Sequence, residues 1–364
     1  MHIVHVYKDY YPILGGIENH VRALAEQQAA AGHSVAVLVT NPGRLPAREL
    51  RARVTVVRAP RLATVASTPI SPTLPLLLRS LQPDITHLHF PYPVGEASQW
   101  LFGKDRPYVI TYHSDVVRQK AILRLYRPLM ERVLRGAARI LPTSENYVRS
   151  SPYLRPHVER CTVVPLSVDP VPYARATPLL PPAAVPTLLF VGRHRYYKGL
   201  DDLLRALPGL PARLLVGGDG PMRGEWQRLA GELGLGAQVT FLGDVSDVEL
   251  PNLYASADIF VLPANSRAEA FGTVILEAMA AGLPCITTEL GTGTSFVVQH
   301  EKTGLVVPPR DPAALRAALQ RLLDDPTLRR QMGAAGRARA HAEFTPQQLL
   351  RRVQAVYEEV VSRQ

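Results

Sequence analysis

The stretch SRAEAFGTVILEAMAAGLP (266–284) sets two carboxylates, Glu269 and Glu277, in otherwise apolar, small-residue surroundings. A carboxylate accepts two hydroxyl hydrogen bonds at once, which suits the vicinal diol of a ribose or a hexose. GTVILEAMAAG reads as a helix whose apolar stripe is Val274, Ile275, Ala278 and Met279, so Glu269 falls in the loop before it and Glu277 inside it. The helix N-terminus between them offers its partial positive charge to a phosphate. A glutamate near a helix start also serves as a cap, and for this pair that role stays open. FVGRHRYYKGLDDLL (190–204) places Arg193 and Lys198 just past a strand end. Such a cation pair suits a diphosphate: arginine binds phosphate oxygens bidentately and lysine adds a point charge, stabilising a leaving group as it gains negative charge. Two solvated loop cations are the plainer alternative. TYHSD (111–115) ends an apolar run with His113, placed to hydrogen-bond a hydroxyl or shuttle a proton, or to serve as a structural histidine. His87 and His89 alternate within THLHF (86–90), and with no third ligand at sensible spacing no metal site is expected. GGIE (15–18) follows the first apolar run, where Gly15 and Gly16 permit close backbone approach and a helix start presents free N–H groups to a phosphate. VGGDGP (216–221) lacks the spacing of a dinucleotide motif and reads as a tight turn.

Strands and helices must present these groups, and the chain alternates them throughout. HIVHVY, SVAVLVT, VTVVRAP, DITHLHF, YVITYH, RILPTS and CTVVPLS are compact apolar runs without strict alternation, as expected of strands covered on both faces. Helical stretches such as IENHVRALAEQQAAAG separate them. The proline-dense segment between Asp169 and Pro186 breaks the pattern and reads as a linker, after which TLLFVG opens a second series. The expected fold is α/β, with two doubly wound, Rossmann-like parallel-sheet domains at 1–170 and 186–345 and a cleft between them. A last helix, 346–364, is a candidate to pack back on the first.

At 364 residues with mean hydropathy near zero, the chain is long enough for two self-sufficient cores. No apolar run reaches the length of a bilayer span and MHIVHVY lacks signal-peptide character, so a cytoplasmic location is expected. Cys161 and Cys285 form neither a disulfide framework nor a metal spacing and read as packed small hydrophobes. Charge is uneven: residues 1–170 hold 21 Lys and Arg against 12 Asp and Glu, and the remainder 20 against 19. An anionic partner for the first half follows: membrane surface, acidic substrate or nucleic acid. The basic, leucine-interleaved stretch 116–140 reads as a face for an anionic membrane surface or acceptor. Pro128 argues against a single uninterrupted helix there. Nucleic acid is disfavoured, since aromatics are only 7% and no recognition motif accompanies the charge.

With these residues assembled, the chain resembles the retaining glycosyltransferases of family 4, of the GT-B group, over essentially its whole length. The most specific element is the family's glutamate pair, standing here as EAFGTVILE, with GGIE, TYHSD and GRHRYYKG in the family's order. The resemblance implies that Glu269 contacts hydroxyls of the transferred sugar and Glu277 the ribose of the nucleotide. It places Arg193 and Lys198 on the diphosphate, with Gly15 and Gly16 approaching from the other domain, and His113 on the sugar. Phe271, Gly272 and Thr273 would present backbone N–H groups. It implies a retaining hexosyl transfer from a nucleotide sugar to a glycolipid, oligosaccharide or polysaccharide acceptor, without cofactor or metal, and the basic stretch 116–140 adds the expectation that this cytoplasmic enzyme is peripheral at the inner membrane face. The absence of any DxD triplet agrees with metal independence. Where many relatives carry a Gly-Gly-x-Pro-Glu-like turn, this chain reads ELGTGTSFVVQHEKTG, resembling a subgroup associated with mannosyl transfer. GDP-mannose is thus the favoured donor, with a UDP-hexose or UDP-GlcNAc remaining. An epimerase or phosphorylase of the same fold would need an elimination constellation or a cofactor lysine, and neither is evident.

Overall fold

Val, Ile and Leu runs build two parallel sheets in the computed structural model, which describes residues 1–13, 15–66, 68–103, 106–116 and 120–363, with the side chains of 120–122 outside the description. The chain divides into two units: Met1–Leu166 together with the segment from Pro346 onward, and Ser167–Thr345.

The strands of the first unit are β1 (His2–Val6), β2 (Ser34–Thr40), β3 (Ala47–Arg51), β4 (Val54–Ala59), a small hairpin of β5 (Ala63–Val65) and β6 (Thr68–Ile70), β7 (Ile85–Phe90), β8 (Tyr108–Tyr112) and β9 (Arg139–Pro142). The main sheet runs β3-β4-β2-β1-β7-β8-β9, parallel except for β3, which pairs antiparallel with β4. Helices α1 (Gly16–Ala30), α2 (Leu74–Leu81), α3 (Pro93–Phe102), α4 (Lys120–Gly136) and α5 (Glu145–Ser150) connect them. Two sequence expectations fail. CTVVPLS forms no strand, only an isolated bridge from Cys161 to Ile140, and α4 continues through Pro128. Tyr126, Met130, Val133 and Leu134 are buried from α4, and Tyr126 donates to Glu96 of α3, so tertiary packing offsets the missing proline N–H.

In the second unit, the short α6 (Val171–Ala174) leads to β10 (Thr187–Val191), α7 (Leu200–Ala206), β11 (Arg213–Gly217), α8 (Arg223–Glu232), β12 (Val239–Gly243), α9 (Leu250–Ala255), β13 (Ile259–Leu262), α10 (Thr273–Ala281), β14 (Cys285–Thr288), α11 (Thr294–Val297), β15 (Gly304–Val307), α12 (Pro312–Asp324) and α13 (Pro326–Glu343). The sheet is parallel throughout, in the order β12-β11-β10-β13-β14-β15. Asp311 and Asp325, each followed by proline, cap α12 and α13. The proline-dense segment read as a linker is instead fastened to this unit. Thr177 N–H donates to Asn252 Oδ1 at 3.1 Å, and Leu179 and Leu180 N–H groups donate to Ser256 Oγ at 2.8 and 3.0 Å. Prolines lack the donor but leave intervening N–H groups that still need acceptors.

The final helix, α14 (Pro346–Val361), turns Leu349, Val353, Val356, Tyr357 and Val360 into one core with Ile3, Leu24, Ile85, Val109 and Leu141 of the first unit. Burial of those five α14 side chains contributes on the order of 10 kcal/mol as an upper bound.

Candidate active site

In the second unit the strand order reverses between β10 and β13, and the loops that leave the carboxyl ends of these two neighbouring strands meet there, at the position where sheets of this kind bind ligands. The loop after β10 ends in a 3-10 turn, Tyr196–Lys198, which delivers Lys198; the loop after β13 delivers Glu269. Lys198 Nζ lies 2.8 Å from Glu269 Oε2, and the two residues are only 8% and 7% exposed. Burial pulls the ammonium pKa down, but Glu269 and Tyr197 outweigh it and the net shift is upward, so the lysine stays charged. Backbone holds the loops together: Asn265 N–H donates to Tyr197 O at 2.9 Å. Gly199 makes this approach possible. Its φ is +68°, and a Cβ there would stand 2.0 Å from Pro263 O. Arg193, on the same loop, is exposed and pairs with none of the described residues. VGGDGP packs beneath this loop as a tight turn, with Gly218 at φ +107° against Gly192 O.

Glu277 sits on α10, partly buried, and Tyr254 Oη donates to its Oε2 at 2.8 Å. Burial raises the Glu277 pKa; the Tyr254 hydrogen bond and the Lys198 charge oppose the rise. Gly272 opens α10 at φ +79°, no side chain caps the helix, and its first turn holds no acid. Thr273 therefore begins a helix whose dipole no resident carboxylate compensates in that turn. Phe271 is buried. One set of contacts escapes sequence reasoning: the ELGTGTSF turn braces the Glu269 loop. Thr292 Oγ1 donates to Glu269 O at 2.9 Å, Gly293 N–H donates to Ala270 O at 2.8 Å, and Arg267 donates to Leu290 O and Gly291 O at 3.1 and 3.2 Å. The only hint was the departure of that turn from the family's usual residues.

In the first unit, Gly15 is the extended N-cap of α1, Gly16 is its exposed first residue, and Glu18 folds its carboxylate over Gly15. Burial raises the Glu18 pKa, while its own backbone hydrogen bond and Lys8, at 4.0 Å, oppose the rise. His113 follows β8 and is buried, and it does not stand alone. Five buried histidines gather at one place: His5 on β1, His20 on α1, His87 and His89 on β7, and His113. This corrects the expectation that His87 and His89 lack companions, because ring nitrogens of His5, His87 and His89, and of His20, His89 and His113, lie within 4.8 Å of one another. The cause is parallel register, which sets His5 beside His87 and His89 beside Thr111, so residues far apart in sequence share one face. A shared position in HIVHV, THLHF and TYHSD was the readable signal.

Burial lowers the His5 pKa to about 4, against the raising effect of its hydrogen bond to Gln28, and lowers His20 to about 3, aided by His5. The unfolded value is 6.5, so below it the unfolded chain binds protons that the folded chain refuses. Stability is complete above that value and falls as pH drops toward the folded values, by about 1.4 kcal/mol per pH unit for each ring. Urea midpoints that stay level from about pH 7 to about pH 5 would contradict this linkage.

The basic stretch is partly engaged within the unit. Arg127 pairs with Glu131 at 2.6 Å, Arg132 lies 5.1 Å over the Trp100 ring, and Arg139 pairs with Glu359. Arg124 and Arg135 are exposed; Arg118 and the Lys120 side chain lie outside the described residues. Among the described residues no helix is long and apolar enough to cross a membrane. Cys161 and Cys285 are free.

Two doubly wound units of this strand order, with a buried lysine–glutamate pair at the carboxyl edge of one sheet, define a GT-B glycosyltransferase. Sucrose-phosphate synthase from Thermosynechococcus elongatus has the same fold, with a TM-score of 0.81 and 26% identity over 100% of each chain. Residues 14–171 match Glycosyltransferase Family 4 and residues 178–339 match Glycosyl transferases group 1. The D-rhamnosyltransferase WbpZ of Pseudomonas aeruginosa is 38% identical over 95% of this chain and 92% of that protein. The O-antigen chain mannosyltransferase C of Escherichia coli is 34% identical over 96% of each. The chain belongs to glycosyltransferase family 4.

Proposed function

We propose that this glycosyltransferase moves a hexosyl group from a nucleotide sugar, with GDP-mannose the favoured donor, to a glycolipid or polysaccharide acceptor, retaining the anomeric configuration without a metal. The buried Lys198–Glu269 pair at the β10/β13 switch point carries the reading. Arg193 and Lys198 take up the charge that develops on the departing diphosphate, and Glu269 orients sugar hydroxyls. Glu277 accepts from the ribose, and Phe271, Gly272 and Thr273 present backbone N–H groups to sugar and phosphate at the uncapped start of α10. Gly15 and Gly16 approach the diphosphate, and His113 contacts the sugar. The diphosphate oxygen, still on the reacting face, accepts the proton of the acceptor hydroxyl, so no side-chain base is needed and the protein supplies orientation and electrostatics. The mannosyl and rhamnosyl transfers named for the two long relatives support a mannose-like donor.

Thermal-shift titration of the full chain against GDP-mannose, UDP-glucose and UDP-GlcNAc is expected to show the largest rise in Tm with GDP-mannose, by mass action. Stabilisation by none of them removes the reading. The anomeric coupling of the product sugar tests retention, and activity undiminished by chelator tests metal independence. Peripheral attachment through the Arg124 and Arg135 face predicts co-sedimentation with anionic liposomes that salt abolishes, whereas salt-insensitive retention speaks against it.

A further inference from the structure

We propose that Gln28, His5 and His89 are positioning residues that fix the tautomer of His113, so that it presents a bare, hydrogen-bond-accepting Nδ1. The consequence for turnover rests on the reading of His113 as a sugar contact; the tautomer itself does not.

The chain of hydrogen bonds begins at the buried Gln28 amide. Its Nε2 donates to Tyr357 Oη at 3.4 Å, which turns Oε1 toward His5 Nε2 at 2.7 Å. An amide oxygen only accepts, so the His5 proton sits on Nε2. Burial keeps each ring neutral, with one proton apiece, so His5 Nδ1 is bare. His89 Nε2, 3.0 Å from it, must donate, which leaves His89 Nδ1 bare in turn. His113 Nε2 lies 3.1 Å from that atom and donates to it, so His113 carries its proton on Nε2 and none on Nδ1. That Nδ1 is buried and has no hydrogen-bond partner among the described residues. A side branch agrees: Tyr357 Oη, accepting from Gln28, gives its own proton to His87 Nδ1 at 2.5 Å, and His87 Nε2 donates to Thr111 Oγ1 at 2.6 Å.

The opposite polarity requires every member to reverse together, from a flipped Gln28 amide onward. It would leave an N–H on His113 Nδ1 buried without an acceptor, which proteins tolerate less well than an unfilled acceptor. His20 does not intervene, since it meets His89 and His113 edge to face at 5.7 and 5.2 Å and neither of its nitrogens is hydrogen-bonded among the described residues. A hydroxyl that approaches His113 Nδ1 must therefore donate to it.

The test is long-range 1H–15N correlation on the full chain with 15N-labelled histidine, with His113 assigned from the His113→Asn variant. The expected spectrum has a pyridine-like Nδ1 and a pyrrole-like Nε2 on His113; the reverse pattern overturns the proposal even if no Gln28 variant folds. Gln28→Met removes the acceptor and is expected to average the two His113 nitrogen shifts and lower kcat about ten-fold, with less change in donor KM. An unchanged His113 pattern in Gln28→Met overturns the relay. Averaged shifts with unchanged turnover uphold the relay and remove His113 from the sugar contact. Zinc chloride is the competing probe: stoichiometric binding that shifts the nitrogens of His20, His89 and His113 together would make the cluster a metal site and overturn the relay.

Discussion

Lys198→Ala is expected to lower turnover by about 10²- to 10³-fold, the range for removing one preorganised donor to a charge that develops in the transition state. The variant should also lose stability for a separate reason. Lys198 and Glu269 are buried as a pair, and taking away one partner leaves a carboxylate in a poor dielectric, a change that typically costs about 3–5 kcal/mol. Adding Glu269→Gln separates the effects: the double variant should regain much of the stability and none of the turnover. Arg193→Ala makes the contrast, because that side chain is exposed and pairs with none of the described residues. Its denaturant midpoint should match wild type while turnover falls by about 10²-fold. Near-normal turnover in purified Lys198→Ala and Arg193→Ala alike would sink the assignment of the diphosphate site.

Gly199→Ala is expected to destabilise the second unit by about 2–4 kcal/mol and to remove activity at temperatures where the fold persists. An L-residue at φ +68° costs roughly 1 kcal/mol before any contact is counted. The added methyl would lie 2.0 Å from the backbone oxygen of Pro263, which no rotamer can relieve, so the β10 and β13 loops must part. Parting them separates Lys198 from Glu269. Gly224 is the control: it lies within α8, has open space at its Cβ, and should gain about 0.5–1 kcal/mol as alanine. A Gly199→Ala urea midpoint indistinguishable from wild type would show that the loop junction yields more easily than its geometry implies.

Much of the second unit could be read in advance because a parallel sheet sends every loop of consequence to the carboxyl edge of its strands. Knowing that TLLFV and DIFVL were strands was enough to bring the Arg193–Lys198 and Glu269 loops to one edge. Their direct pairing was not legible, since it depends on which strands are neighbours, and β10 and β13 are separated by two others in sequence. The first unit hid more. ARELR is exposed along its whole length and carries three charges, so it looks like a loop, yet it pairs with β4 as an antiparallel edge strand. CTVVPLS has strand composition but finds only a single bridge at the sheet margin, where composition alone does not supply a ladder. The histidine cluster was present in three short motifs and became visible only once register aligned them.

The core of the first unit is sewn from two pieces of chain with the whole second unit between them. During synthesis the second unit emerges as one continuous stretch and can complete its sheet while the first still lacks α14. The β1-β7-β8-β9 part of the sheet must therefore wait with Ile3, Ile85, Val109 and Leu141 uncovered, and His87 without its tyrosine, until the ribosome delivers Leu349 to Val360. The nascent first unit is thus the part of this molecule most exposed to chaperone capture, and the second unit is the part that folds without waiting.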